Sequence, residues 1–103
     1  MLAAVGAVAV ALALLGGGAA AASRGHVSIA NSKYQPKTLH VSKGTAVTFV
    51  NRDHAKHTAT KKGVFSTGKL KRGQKATIRF RHKGTFRYIC KIHPFMHGKI
   101  VVG

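Results

Sequence analysis

From residue 26 onward, apolar and polar side chains alternate in short runs that are separated by glycine, asparagine, serine and lysine. Alternation with a period of two predicts strands with one buried and one solvated face. The predicted strands are 26–30, 38–41, 46–50, 76–80, 86–90 and 99–102. No segment of this region has a helical period of useful length, so the pattern predicts an all-β sandwich or barrel.

Three of the segments between these runs have the composition of tight turns. Residues 42–45, 71–74 and 82–85 each contain one glycine among polar or charged neighbours. Glycine can adopt a positive φ without steric cost, which many tight turns require. We therefore expect Gly44, Gly73 and Gly84 to lie at the turns.

Residues 1–22 differ from the rest of the chain, because they are almost entirely Ala, Val, Leu and Gly and carry no charge. The apolar run 2–15 has the length of a signal-peptide core and is short for a membrane span. Small residues follow at 16–18 and 20–22, although a basic segment before the run is missing. We predict that 1–22 is a signal peptide or an uncleaved N-terminal anchor. Residues 23–103 then form one exported domain, which is periplasmic, extracellular or part of the cell envelope.

The charge of the chain is extreme, with 18 Lys and Arg residues, one acidic residue and a net charge of +17. Such a field steers a protein toward anionic partners. Nucleic acid is the usual partner of so basic a domain, but export removes the opportunity and the sequence shows no reading helix or aromatic platform. We therefore expect a monomer that meets acidic redox proteins, anionic envelope polymers or a membrane surface, and no nucleic acid.

Near the C-terminus, a thiol, an imidazole and a thioether recur at intervals of three residues, as Cys90, His93 and Met96. Cys90 is the only cysteine, so it has no disulfide partner within the chain. Each of these residues alone can be explained as a buried core residue or a solvated surface residue. Their combination at the end of a predicted strand cannot be explained in this way. Two soft sulfur ligands with an imidazole suit copper better than zinc, calcium or magnesium.

One further histidine would complete the two-His, one-Cys, weak-Met set of an electron-transfer copper site. His54 and His57 are both candidates. Residues 58–60 alternate like the beginning of a strand, and a ligand at that place is held more rigidly than one within a loop. The sequence therefore favours His57 over His54, and predicts a metal site of His57, Cys90, His93 and Met96.

These motifs resemble those of small blue copper proteins, the cupredoxins of the plastocyanin, pseudoazurin and amicyanin group. The resemblance extends over nearly all of 23–103, and the gaps between Cys90, His93 and Met96 are most similar to those of amicyanin. It is carried by Tyr34-x-Pro36, Val41-x-x-Gly44-Thr45-x-Val47-x-Phe49-x-Asn51, His57-Thr58 and Gly84-Thr85-Phe86-x-Tyr88-x-Cys90-x-x-His93-Pro94-x-Met96-x-Gly98. It implies a Greek-key β-sandwich that binds one copper ion, cycling between Cu(I) and Cu(II), at one end.

The resemblance also implies roles for individual residues. Asn51 would tie the ligand loops together, the Thr58 amide would donate a hydrogen bond to the Cys90 sulfur, and His93 would be the exposed ligand through which electrons pass. Where the family often has proline before its first ligand histidine, this chain has Lys56.

The function that follows is single-electron transfer between redox partners, without enzymatic activity. A thiol enzyme is disfavoured because no second polar group orients His93 as a base. Two alternatives are a copper carrier or storage protein of the envelope and a polyanion-binding envelope protein with a vestigial copper site. We expect an apolar collar of Pro94, Phe95 and Phe65 around the site. Because they flank the ligands, we also expect the lysines at 56, 91 and 99 to affect encounter with anionic partners more than those at 33 and 37.

Overall fold

The computed structural model describes residues 24–103, so the predicted leader 1–22 and the first residue of the predicted domain lie outside the described residues. The described part contains strands and no helix, and hence nothing in it has the helical length and apolar character needed to cross a membrane. Its strands are β1 (Arg24–Ala30), β2 (Lys33–Gln35), β3 (Thr38–Val41), β4 (Thr45–Asn51), β5 (Thr60–Lys61), β6 (Phe65–Ser66), β7 (Lys75–Phe80), β8 (Gly84–Ile89) and β9 (His97–Val102).

The strands form two mixed sheets, which confirms the prediction of an all-β sandwich. One sheet has the order β2-β1-β4-β7 and the other has the order β3-β9-β8-β5-β6. Strands β1 and β4 pair in parallel, as do β3 and β9, and the remaining neighbours are antiparallel. The buried cluster between the sheets is Val27, Ile29, Tyr34, Val47, Phe49, Ala59, Leu70, Phe80, Tyr88, Cys90, Met96, Ile100 and Val102.

All six predicted strands are present, with bounds that differ from the prediction by no more than two residues. The three predicted turn glycines have positive φ angles, of 91° at Gly44, 83° at Gly73 and 143° at Gly84. Strands β2 and β6 were missed, and β5 was expected only as the beginning of a strand at 58–60. Each has only two or three residues, too few to show an alternation of their own.

Tyr88 anchors the end of β8 that leads to the metal-binding motif. It pairs across the sheet with Gly98 of β9, and a Cβ atom at Gly98 would overlap the Tyr88 ring. The same ring makes an edge contact with Tyr34, with ring centroids 4.6 Å apart. The tyrosine side chain is thus fixed in the core two residues before Cys90, and its hydroxyl is buried without a hydrogen-bond partner among the described residues.

Candidate metal centre

Three of the four predicted ligand residues come together at one end of the sandwich. The Nδ1 atom of His57 lies 3.7 Å from the Sγ atom of Cys90, and Nδ1 of His93 lies 3.8 Å from the same sulfur. One ligand atom from each residue lies within 4.8 Å of the other two. His57 and Cys90 are fully buried, and His93 is partly exposed.

His57 lies between β4 and β5, in a segment held by backbone hydrogen bonds. Its N–H donates to the Leu70 carbonyl at 3.2 Å, and the Leu70 N–H donates back to the His57 carbonyl at 2.8 Å. The expectation that a strand begins directly after His57 is wrong, since β5 begins at Thr60 and residues 58–60 are all buried. The bridge to Leu70 supplies the rigidity that had been attributed to the strand.

The other nitrogen of His57 contacts the only acidic side chain of the chain. Nε2 lies 2.9 Å from Oδ2 of Asp53, and the Asp53 carboxylate also accepts the N–H groups of Asn31 and Ser32, each at 2.8 Å. Desolvation by burial opposes ionisation of Asp53, but hydrogen bonds from Ser32, Asn31 and His57 outweigh it and hold its pKa below the usual value. An ionised Asp53 accepts a hydrogen bond from Nε2–H, and the Nδ1 lone pair of His57 is then free to face Cys90.

The contact between Asp53 and His57 was not predicted from the sequence. The signal was present, because Asp53 and His57 are four residues apart on the segment that carries the ligand candidate. Ligand histidines ordinarily use their second nitrogen to bond a carboxylate or a carbonyl. An acidic residue near a predicted ligand histidine is therefore a candidate acceptor for the hydrogen bond of its second nitrogen.

Thr58 ties the segment containing His57 to the loop that begins at Cys90. Its N–H donates to Cys90 Sγ at 3.3 Å, as the resemblance implied. Its Oγ1 accepts the N–H of Lys91 at 2.9 Å, and its carbonyl accepts the hydroxyl of Tyr34. Burial raises the pKa of Tyr34, so that hydroxyl stays protonated as a donor.

Asn51 acts differently from what the resemblance implied. Its side-chain NH₂ donates to the carbonyls of Ala55 at 2.8 Å and Leu70 at 2.7 Å, and its Oδ1 accepts the N–H of Asp53 at 2.9 Å. These bonds organise the segment that carries Asp53 and His57. The described hydrogen bonds between this segment and the Cys90 loop are made by Thr58 rather than by Asn51.

The second loop carries Cys90, His93 and Met96 between β8 and β9. It is closed by two backbone hydrogen bonds, from the Met96 N–H to the His93 carbonyl at 2.9 Å and from the Cys90 N–H to the Met96 carbonyl at 3.3 Å. Met96 is 2% exposed and belongs to the same buried cluster as Cys90. Its role as the weak fourth ligand remains a prediction.

The alternative candidate, His54, lies away from this cluster. It is exposed, and its Nε2 atom is 2.6 Å from a guanidinium nitrogen of Arg72. Lys56, which stands where the family often has proline, is also exposed.

The surface around His93 is apolar, but its composition differs in part from the expected collar. Phe95 is 67% exposed and Ile92 is 39% exposed, and Pro94 is exposed beside them. Phe65 does not join this collar, because its aromatic contacts are with Phe49, Phe80 and Tyr88 in the core.

Two of the lysines that were expected to matter less lie near the ligand loop. Lys33 and Lys37 line a cavity that Phe95 and Met96 line as well, so both lie beside the ligand loop. Lys33 and Lys37 lie there because β2 and the segment after it pack near the start of β9. The sequence pattern did not reveal this packing.

The distances between two pairs of the candidate ligand atoms suit a shared metal ion. A nitrogen ~2.1 Å and a sulfur ~2.3 Å from one ion, which are the lengths of zinc bonds, are about 3.8 Å apart when the angle between the bonds is trigonal. The two nitrogen-to-sulfur distances of 3.7 Å and 3.8 Å have this value. The predicted donor set of a thiolate, two imidazoles and a thioether is typical of electron-transfer copper sites rather than of the usual zinc sites.

Comparison with known proteins gives the same indication. A family model described as "Cupredoxin-like domain" matches residues 2–102. Amicyanin of Paracoccus denitrificans is 39% identical over 82 residues, which are 74% of this chain and 63% of that protein. Amicyanin-alpha of Methylorubrum extorquens is 37% identical over 82 residues, which are 74% of this chain and 69% of that protein. The chain thus spans slightly less than two thirds of the first relative and slightly more than two thirds of the second.

Solved structures with the same fold include a reduced Cu(I) form of an amicyanin variant. It is 36% identical, with a TM-score of 0.72 over 78% of this chain and 82% of the variant. A purple cupredoxin from Nitrosopumilus maritimus is 23% identical, with a TM-score of 0.70 over 77% of this chain and 99% of that protein, and shows the fold alone.

Proposed function

The chain belongs to the cupredoxin-like domain family, and from this premise we propose that it carries single electrons between proteins, on one copper ion held by His57, Cys90, His93 and Met96. The observation that carries the proposal is the meeting of His57, Cys90 and His93, with both Nδ1 atoms near one sulfur. When bound at these residues, copper supplies one-electron exchange between Cu(I) and Cu(II).

The residues around the ligands hold them in place before the metal arrives. Asp53 fixes the ring of His57, and the Thr58 N–H donates to the Cys90 sulfur, so these side chains need little movement to meet an ion. A site that is held in this way resists rearrangement between oxidation states, which favours fast electron transfer. The burial of His57 and Cys90 supports retention of the metal rather than its delivery to another protein.

His93 offers the route by which electrons would enter and leave. It is partly exposed, and its ring lies 6.0 Å from the ring of Phe95, measured between centroids. Ile92, Pro94 and Phe95 form an apolar surface that a partner can cover, which would exclude water from the approach to His93. The positive charge beyond this surface favours partners with acidic surfaces.

The test is a titration of the full chain with Cu(II), followed by absorption spectroscopy and voltammetry. We expect one copper per chain, an intense visible band from thiolate-to-copper charge transfer, and a reversible one-electron wave. Cys90→Ser should lose the band, whereas His82→Ala, which changes an exposed histidine far from the cluster, should keep it. A colourless wild-type protein would refute the proposal, and a coloured one that exchanges copper rapidly without a reversible wave would indicate a copper carrier.

We also propose that the protein acts outside the cytoplasm. The support is the leader-like composition of residues 1–22, with its apolar run and the small residues after it. Expression in a bacterium, with separation of the periplasmic fraction and mass spectrometry of the N-terminus, tests this. A mature chain that starts near Ser23 indicates a cleaved signal peptide, and an intact chain in the membrane fraction indicates an anchor. An intact chain in the cytoplasm would contradict export.

A further inference from the structure

The five-stranded sheet carries a cavity of about 300 Å³ that the copper centre does not use. Apart from one glycine, each of its lining residues carries a positive charge or a polar hydrogen-bonding group. They are Lys37, Thr38, Arg87, His97, Gly98 and Lys99.

The strand register explains why these residues meet. Lys99 of β9 is directly opposite Arg87 of β8 on one side and Thr38 of β3 on the other. The backbone carbonyl of Lys37 accepts the N–H of Lys99 at 2.8 Å, which places Lys37 at the same row. Three cationic residues from three parts of the chain thus lie around one depression.

This arrangement is unfavourable without an anion. Like charges directly opposite each other on neighbouring strands destabilise a sheet. The only acidic side chain of the protein, Asp53, is occupied by Asn31, Ser32 and His57. Arg87, Lys99 and Lys37 therefore have no acidic side chain within the chain to neutralise them.

We propose that this cavity binds a phosphate group, either as free phosphate or as a phosphate monoester. The guanidinium of Arg87 can donate two parallel hydrogen bonds to phosphate oxygens, and the ammonium groups of Lys37 and Lys99 add compact charges. The hydroxyl of Thr38 is a further donor at the same row. A doubly charged oxyanion matches this set better than a singly charged carboxylate. The proposal does not depend on the copper chemistry of the neighbouring loop.

The experiment is a titration of the full chain, in its reduced form, followed by NMR at constant ionic strength. Inorganic phosphate, glycerol 3-phosphate and acetate are added separately. We expect saturable shifts centred on Thr38, Arg87 and Lys99 with phosphate or its ester, and much weaker binding of acetate. The tighter of the two phosphate ligands identifies whether the natural source is free or esterified phosphate.

A matched pair of variants separates this site from the general positive charge. Arg87→Gln and Arg81→Gln each remove one exposed guanidinium, but Arg81 lies outside the cavity. Loss of a charge-assisted hydrogen bond predicts phosphate affinity about tenfold weaker in Arg87→Gln, with no change in Arg81→Gln. Equal weakening in both variants, equal affinity for acetate, or shifts that do not saturate would each overturn the proposal.

Discussion

The carboxylate of Asp53 lies 2.9 Å from Nε2 of His57, and this is the contact that sets the direction of the buried ligand candidate. Its opposite nitrogen faces Cys90 because the Asp53 side is already occupied. The chain has a single acidic residue, and that residue bonds a candidate ligand of the metal centre instead of a surface cation.

Replacing Asp53 should therefore weaken copper binding. Asp53→Asn keeps the size of the side chain and one oxygen, which can accept from either the Asn31 or the Ser32 amide, but removes the negative charge. Loss of such an outer contact typically reduces metal affinity by about 10- to 100-fold, and we expect a fall within this range in a competition titration with a copper chelator. The unfolding midpoint of the copper-free variant serves as the structural control. Unchanged affinity would show that Asp53 supports only the loop.

His57→Ala and His54→Ala distinguish the two histidines that the sequence offered as ligands. His57 is buried beside Cys90, whereas His54 is exposed beside Arg72. Loss of His57 should empty or distort the site, and loss of His54 should leave the absorption spectrum of the copper-loaded protein nearly unchanged. The reverse pattern would transfer the ligand role to His54.

Gly98→Ala should destabilise the fold, because the new methyl group would overlap the ring of Tyr88. Overpacking of a buried site costs about 1–3 kcal/mol, measured as the free energy of unfolding of the copper-free protein in urea. Tyr88→Phe provides the comparison. It removes a buried hydroxyl that has no partner among the described residues, so it should preserve or raise stability. A Gly98→Ala variant as stable as the wild type would mean that β9 can shift away from Tyr88.

Electron exchange with an anionic oxidant should depend on charge near the ligand loop. The Debye length falls from ~30 Å at 0.01 M salt to ~8 Å near 0.15 M, so stopped-flow rates with hexacyanoferrate(III) should fall steeply as salt rises. Lys91→Glu, beside Cys90, should reduce the low-salt rate more than Lys83→Glu. Lys83 lies just before β8, at the end of the strand opposite Cys90. The rise of a strand places it ~20 Å from Cys90. Lys33 is unsuitable as the remote control, because it lines a cavity with Phe95 and Met96. Equal losses in the two variants would show that charge acts without regard to position.

The sequence predicted the long strands and the meeting of His57, Cys90 and His93, because both depend on local patterns. Alternation marks a half-buried strand, and ligands three residues apart share one loop. The bonds of Asn51 to Leu70 and of Asp53 to Asn31 were not predictable in the same way, since they depend on which distant carbonyls and amides the fold brings near. The phosphate cavity likewise depends on the parallel pairing of β3 with β9, which joins residues about sixty positions apart.

The parallel pairing of β3 with β9 also bears on when the copper centre can form during biosynthesis. The loop with Cys90 and His93 is closed on its far side by β9, whose partners are β8 and the much earlier β3. Contacts between distant parts of a chain form slowly, because the entropy of a long loop is lost before the contact stabilises the chain. A partly synthesised or partly exported chain therefore presents Cys90 without a fixed His57 beside it. Metal capture should follow folding, so the compartment in which the domain folds determines which metal ions it meets.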